Sequence, residues 1–187
     1  MANLVDKRCD SIEWHTPDRV LDPVKAYFGG SIHLDPATAQ ANPTGARKFY
    51  TKSDNGLLHP WADRTFLNPP YGAEMKDWLY KLANEARRGA EIIALLPASR
   101  WEQYYFQAHA FNENLSGFVL IRKRVRFING NTGEVCPSNP YASILFGYNI
   151  ATWTAFREAM HTIGTVVRVD ELNIYDEGAN KIWKRLQ

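Results

Sequence analysis

The chain has 187 residues, 45% of them hydrophobic, and a formal net charge of 22 − 20 = +2. That length suits one domain with a substantial core, and no apolar run approaches the ~20 residues of a membrane-spanning helix. The charge is too small to argue a nucleic-acid partner by itself, and the two cysteines, Cys9 and Cys136, have no metal or redox spacing and read as free thiols in a reducing compartment.

In chain order, Met1 to Asp10 carry Lys7 and Arg8 without an apolar stretch, so no signal peptide is expected. Asp22-Pro23 reads as a helix start with Pro at the first helical position; the helix runs through Val24 to Phe28 and stops at Gly29-Gly30. Ser31 to Leu34 reads as a strand ending at Asp35-Pro36, Ala37 to Ala46 as a loop, and Phe49-Tyr50 as a brief strand. After the loop Thr51 to Trp61, Thr65-Phe66-Leu67 is a strand running into Asn68-Pro69-Pro70-Tyr71.

Met75, Trp78, Leu79, Leu82, Ala83 and Ala86 repeat at three and four, the period of an amphipathic helix, and Arg87-Arg88 followed by Gly89 ends it. Glu91 to Leu96 contains a continuous apolar run typical of a buried parallel strand, ending at Pro97-Ala98-Ser99. Trp101 to Phe111 reads as helix, Phe118 to Ile121 and Val125 to Ile128 as strands, and Asn129 to Gly133 as a turn. Tyr141 to Tyr148 is a returning strand, Ala151 to His161 a helix and Thr165 to Val169 a last strand; the tail beyond Asp170 has no assignment.

This alternation predicts an α/β fold with a mainly parallel sheet flanked by helices, an antiparallel hairpin at one edge, and one domain over residues 1–187. Ligands of such sheets bind beyond the carboxyl ends of the strands. Three strands end there in polar or kinked tips, at Asp35-Pro36, Asn68 to Tyr71, and Pro97-Ala98-Ser99. The two prolines fix φ and remove two donors, so the Asn68 side-chain oxygen and a bare main-chain carbonyl are left side by side. Paired acceptors beside a flat ring suit a planar amino group on a ring. Asn68, Pro69, Pro70 and Tyr71 are therefore the candidate catalytic residues, although the same string also serves as an ordinary turn capped by an aromatic.

Arg122, Lys123, Arg124 and Arg126 form the densest basic cluster. With Arg124 and Arg126 on one strand face and Val125 and Phe127 on the other, the cluster reads either as a phosphate contact or as a solvated face. Trp61, Trp78 and Trp101 read as core aromatics. The five histidines show no ligand spacing, so no metal is expected.

A wider set of residues runs in order along most of the chain. It comprises Trp14 with Thr16-Pro17, Leu34-Asp35-Pro36-Ala37, Asp54 with Gly56-Leu57, and Trp61. It continues through Phe66 to Gly72 with Trp78, Leu95-Leu96-Pro97-Ala98 with Trp101, Arg124-Val125-Arg126-Phe127, and Tyr141-Ala142-Ser143. In this order the residues resemble the short phage-type DNA adenine N6-methyltransferases.

The resemblance implies a Rossmann-like methyltransferase sheet, S-adenosylmethionine as methyl donor, and adenine in double-stranded DNA as acceptor. It also implies phage or prophage origin and action in the cytoplasm of a bacterial host. Thr16, Pro17, Asp35 and Pro36 match positions lining the methionine part of the donor, Asp54 a donor-pocket acid, and Asn68 to Tyr71 the catalytic motif. No Gly-x-Gly follows Asp35; Ala37-Thr38-Ala39 stands there. The alternatives that stay open are RNA adenine, cytosine N4, a protein glutamine amide, or an inactive nucleic-acid-binding relative.

Overall fold

The unbroken apolar run after Glu91 becomes the fully buried centre of a seven-stranded sheet in the computed structural model, which describes residues 14–136 and 139–169. In chain order the elements are β1 (Trp14–His15), α1 (Asp18–Tyr27), β2 (Leu34–Asp35), β3 (Lys48–Phe49), β4 (Thr65–Leu67), α2 (Met75–Arg87) and β5 (Ile92–Pro97). A 3-10 turn (Ala98–Arg100) leads to α3 (Tyr104–Ala110), β6 (Leu115–Ile121), β7 (Ile128–Asn129), β8 (Ser143–Tyr148), α4 (Trp153–Met160) and β9 (Gly164–Arg168).

The strand order is β3-β2-β4-β5-β8-β6-β9. The pairs β3-β2, β2-β4 and β4-β5 are parallel. Strand β8 runs antiparallel to both β5 and β6, and β9 antiparallel to β6. Five strands, β2 through β6, therefore point one way, while β8 and β9 oppose them. The antiparallel half is wider than a single closing hairpin. Separately, β1 pairs with β7 in a two-stranded ribbon.

Side-chain alternation splits the core in two. Leu67, Ile92, Ala94, Leu96, Ile144 and Phe146 pack under α2 and α3. Phe66, Ile93, Leu95 and Leu145 pack under α1 and α4, together with Val125 and Phe127. The result is a three-layer α/β/α arrangement, as the period-2 strands and the period-3.6 helices require.

Several expectations are corrected. Helix α1 starts at Asp18, one turn early, so Pro23 lies inside it. Its missing N–H and its ring cost on the order of 3 kcal/mol. Burial of Val20, Leu21, Val24 and Phe28 along one seam, roughly 1.5–3 kcal/mol each, offsets this. Residues 122–127 form no strand; an extended loop leads to the two residues of β7. The alternation nonetheless holds there, with Arg124 and Arg126 exposed and Val125 and Phe127 buried.

The helix expected from Trp101 begins at Tyr104. Trp61 and Trp78 are core residues, but Trp101 is 58% exposed, because the 3-10 turn after β5 throws it outward. Cys136 is disulfide-bonded rather than free. Its sequence spacing excluded a local motif but not a long-range pairing; the chain's other cysteine, Cys9, lies outside the described residues.

One buried charge ties the layers to the site loops. Glu85 in α2 is 2% exposed, pairs with Lys81 at 2.6 Å and Arg88 at 3.1 Å, and accepts the Trp61 N–H at 3.2 Å. Glu85→Ala leaves the buried Trp61 amide and a mostly covered ammonium unpaired. The expected loss is about 2–4 kcal/mol, read from the midpoint of urea unfolding.

Candidate active site

The chain leaves β2 outward to β3, then returns to the other side of β2 as β4 and continues away to β5. The connections after β2 and β4 thus diverge, opening a crevice between the two strand tips. That is the topological switch point at which open α/β sheets bind ligands. Asp35 ends β2 and Asn68 follows β4, so both stand at this crevice.

Thr16 joins them from the lead-in to α1: Asn68 Nδ2 donates to Thr16 Oγ1 at 3.1 Å. The bond orients the amide and directs Asn68 Oδ1 the other way, where it is buried and accepts no hydrogen bond. A buried acceptor left unpaired costs about 1–3 kcal/mol, which a ligand N–H recovers. In the same turn the Pro70 carbonyl accepts the Gly72 N–H at 3.0 Å, while none of the turn's main-chain bonds uses the Pro69 carbonyl. Among the described residues, neither of the two acceptors at the tip has a hydrogen-bond donor.

Tyr71 is 37% exposed through its ring. Phe127 meets that ring edge-on, with centroids 6.2 Å apart and planes at 88°. The hydroxyl end points inward, 3.5 Å from the Leu95 carbonyl. Burial of that end holds the phenol well above its ordinary pKa, and the neighbouring Ser143 hydroxyl offsets this in part. Tyr71 therefore stays protonated at neutral pH.

Asp35 is 3% exposed. Its Oδ1 accepts the Ala37 N–H at 3.0 Å and its Oδ2 the Thr44 hydroxyl at 2.9 Å. Burial pushes its pKa up to about 6, against the lowering effect of these bonds. The carboxylate shapes the loop after β2, at the edge of the crevice. Pro36 is buried against Gly56, where an added β-carbon would stand 2.0 Å from the Pro36 carbonyl oxygen. That close approach explains why the Asp54-Asn55-Gly56-Leu57 stretch has glycine there.

Asp54 is exposed and turns back on its own loop, accepting the Thr51 N–H at 2.8 Å and the Thr51 hydroxyl at 2.6 Å. The Thr51 hydroxyl bond is the main reason its carboxyl sits below the usual range. A cavity of about 410 Å³ opens beside it, lined by Thr38, Gln40, Thr51, Lys52 and Ser53. Among the described residues, no group of three or more His, Cys, Asp or Glu is placed to hold a metal ion. No helix among them is long and apolar enough to cross a membrane.

The basic cluster divides. Arg122 Nη2 donates to the carbonyls of His161 at 2.6 Å and Gly164 at 3.4 Å, and the Arg122 carbonyl accepts from Arg19. Its guanidinium thus braces the turn between α4 and β9. Lys123, Arg124 and Arg126 are exposed on the following loop.

Sequence reasoning missed three features here: the Thr16–Asn68 bond, Phe127 as the wall beside Tyr71, and Ser143. Alternation showed that Phe127 points inward, but not what it meets. Ser143 lay in the Tyr141-Ala142-Ser143 stretch with no sign of its burial.

Fold and site define a class, that of mixed α/β proteins with an Asn-Pro-Pro-Tyr tip at the switch point of the sheet. Residues 3–179 match the model of the DNA N-6-adenine-methyltransferase (Dam) family, and the chain belongs to that family. Over 147 residues, 71% of the chain, it is 26% identical to a DNA N-6-adenine-methyltransferase of Escherichia phage T1. The match covers 60% of that curated relative, so the chain spans less than two thirds of its length.

Proposed function

We propose that the protein transfers a methyl group from S-adenosylmethionine to N6 of an adenine turned out of double-stranded DNA. The observation that carries this is the buried, unpartnered Asn68 Oδ1 next to Pro69, at the switch point of the mixed α/β sheet. Family membership selects adenine over the other planar amines and amides that such a tip could grip. The matched relative is a phage protein, and this reading places the reaction on DNA inside a bacterial host cell.

The residues present fit the donor. Thr16, Pro17, Asp35 and Pro36 border the crevice where its methionine part belongs, and a buried carboxylate there suits a cation. The cavity at Thr38, Gln40 and Thr51 to Ser53, walled by the loop that Asp54 organises, suits its nucleoside part. When bound, the donor supplies a methyl on a sulfonium.

Asn68 Oδ1 and the Pro69 carbonyl accept the two N6 hydrogens at about 2.7–3.1 Å, which favours a pyramidal nitrogen and aims its lone pair at the methyl. The N6 proton leaves after attack, when the nitrogen is cationic, so no strong base is needed beforehand. Tyr71 stacks on the extruded ring, worth about 1–3 kcal/mol.

Exposing unmethylated plasmid to the protein and labelled donor, then mapping modified bases by sequencing, tests the reading; label on any atom but adenine N6 overturns it. Lys123, Arg124 and Arg126 face the phosphates. DNA affinity is therefore expected to fall steeply with salt, and each Ala substitution of these three to lower the log–log slope by about one. Arg122→Ala instead loosens the α4–β9 turn and is expected to lower thermal stability more than the slope. A flat salt response argues against DNA as the partner.

A further inference from the structure

Ser143 is 5% exposed, and its hydroxyl makes no well-formed hydrogen bond. It opens β8 opposite Pro97, the last residue of β5. Its parity is that of Leu145, and the parity of Asn68 is that of Phe66, both on the core face shared with Phe127. Ser143 and Asn68 thus project from the same rim toward the same face. Strand β5 lies between β4 and β8, so roughly 9.5 Å separates the two strand axes. That span accommodates a purine with a hydrogen bond at each end.

Tyr71 bridges the gap. It leaves the β4 tip next to Asn68, and its hydroxyl end reaches Leu95 and the neighbourhood of Ser143. A base stacked on this ring has Asn68 at one end and Ser143 at the other. The geometry points to Ser143 as the second hydrogen-bonding group of the base pocket, donating its hydroxyl to a ring nitrogen of the extruded adenine and so helping to select that base. This rests on the reading of Asn68 to Tyr71 as the methyl-transfer site. Asn68 recognises only an amino group, which cytosine also offers; a donor to N3 or N7 meets an acceptor that cytosine lacks at that distance from its amino group, whereas a donor to N1 would not separate the two bases. A buried hydroxyl that neighbours the Tyr71 phenol without reaching hydrogen-bond geometry favours a ligand that supplies an acceptor.

The test uses the full chain and a duplex carrying one mapped target, with adenine or its 1-deaza, 3-deaza or 7-deaza analogue at that position. Ser143→Ala is expected to lower kcat/KM on adenine about ten- to a hundredfold, with donor affinity and thermal midpoint unchanged. Ser143→Thr, which keeps the hydroxyl, restores most of the rate. The Ser143→Ala penalty should vanish on the single analogue that lacks the contacted nitrogen. An equal penalty on all four bases means that Ser143 acts only by bracing Tyr71, and no penalty means it does not act; either result overturns the inference. Wild-type protein that methylates no adenine overturns the site reading itself, and is seen before any variant is made.

Discussion

Asn68→Ala is expected to lower the single-turnover methylation rate at least about a hundredfold, while calorimetric binding of the donor is retained. On the proposed reading the substitution removes one of the two acceptors for the N6 hydrogens, and the lone pair of N6 would relax back into the ring. Folding should not suffer. Asn68 Oδ1 is buried without a partner, so its removal discards an unsatisfied group and forfeits only the 3.1 Å bond to Thr16. A rate collapse with an unchanged or slightly raised thermal midpoint is the signature expected. Asn68→Asp offers a sharper contrast. It keeps an oxygen in place, lets the Thr16 hydroxyl donate in turn, and puts a negative charge beside a nitrogen that becomes cationic. It should retain activity to within about tenfold of the wild type. Unchanged turnover in Asn68→Ala removes this residue from the chemistry.

What the sequence disclosed about this region follows from how local each signal was. Strand β4, the kinked tip and α2 were readable because an apolar triplet, two prolines and a period-3.6 stripe ending at Gly89 each act within a few residues. The carboxyl rim was readable from three consecutive strand tips. Long-range consequences were not. Nothing near Pro23 shows that the seam of Val20, Leu21 and Val24 extends the helix back past it. Trp101 looked like a core aromatic because its size favours burial; the turn that exposes it depends on where β5 stops. Arg122 sat in a basic run, and only the return of β9 supplies the carbonyls that engage it. The pairing of Thr16 with Asn68 spans 52 residues, a distance that no local pattern encodes.

Asp35→Asn is expected to separate stability from function in the opposite way to most active-site substitutions. The folded pKa of Asp35, about 6, lies above its ordinary value of 3.8 because burial penalises the anion. Between those values the folded state holds the proton more tightly than the unfolded chain. Stability therefore declines as pH rises from about 4 to about 6 and is flat beyond, the reverse of a salt-bridged carboxylate. At pH 7.5 the ionised side chain costs on the order of 3 kcal/mol relative to its protonated form. Asparagine avoids this cost and keeps the local bonds. Its oxygen accepts the Ala37 N–H and its amide donates to Thr44, whose hydroxyl is already 3.3 Å from Asn42 Oδ1 and can turn to it. The thermal midpoint of Asp35→Asn should thus equal or exceed that of the wild type at pH 7.5, and the two should converge near pH 4. Donor affinity should move the other way, falling about ten- to a hundredfold, because a sulfonium or ammonium loses the anion beneath it. Wild-type affinity should itself weaken as pH drops through about 6, toward the level of the variant. Calorimetry of donor binding from pH 5 to 8 checks both curves. If the variant binds donor as tightly as the wild type, Asp35 serves only the loop, and the cost of burying its charge has no return in function.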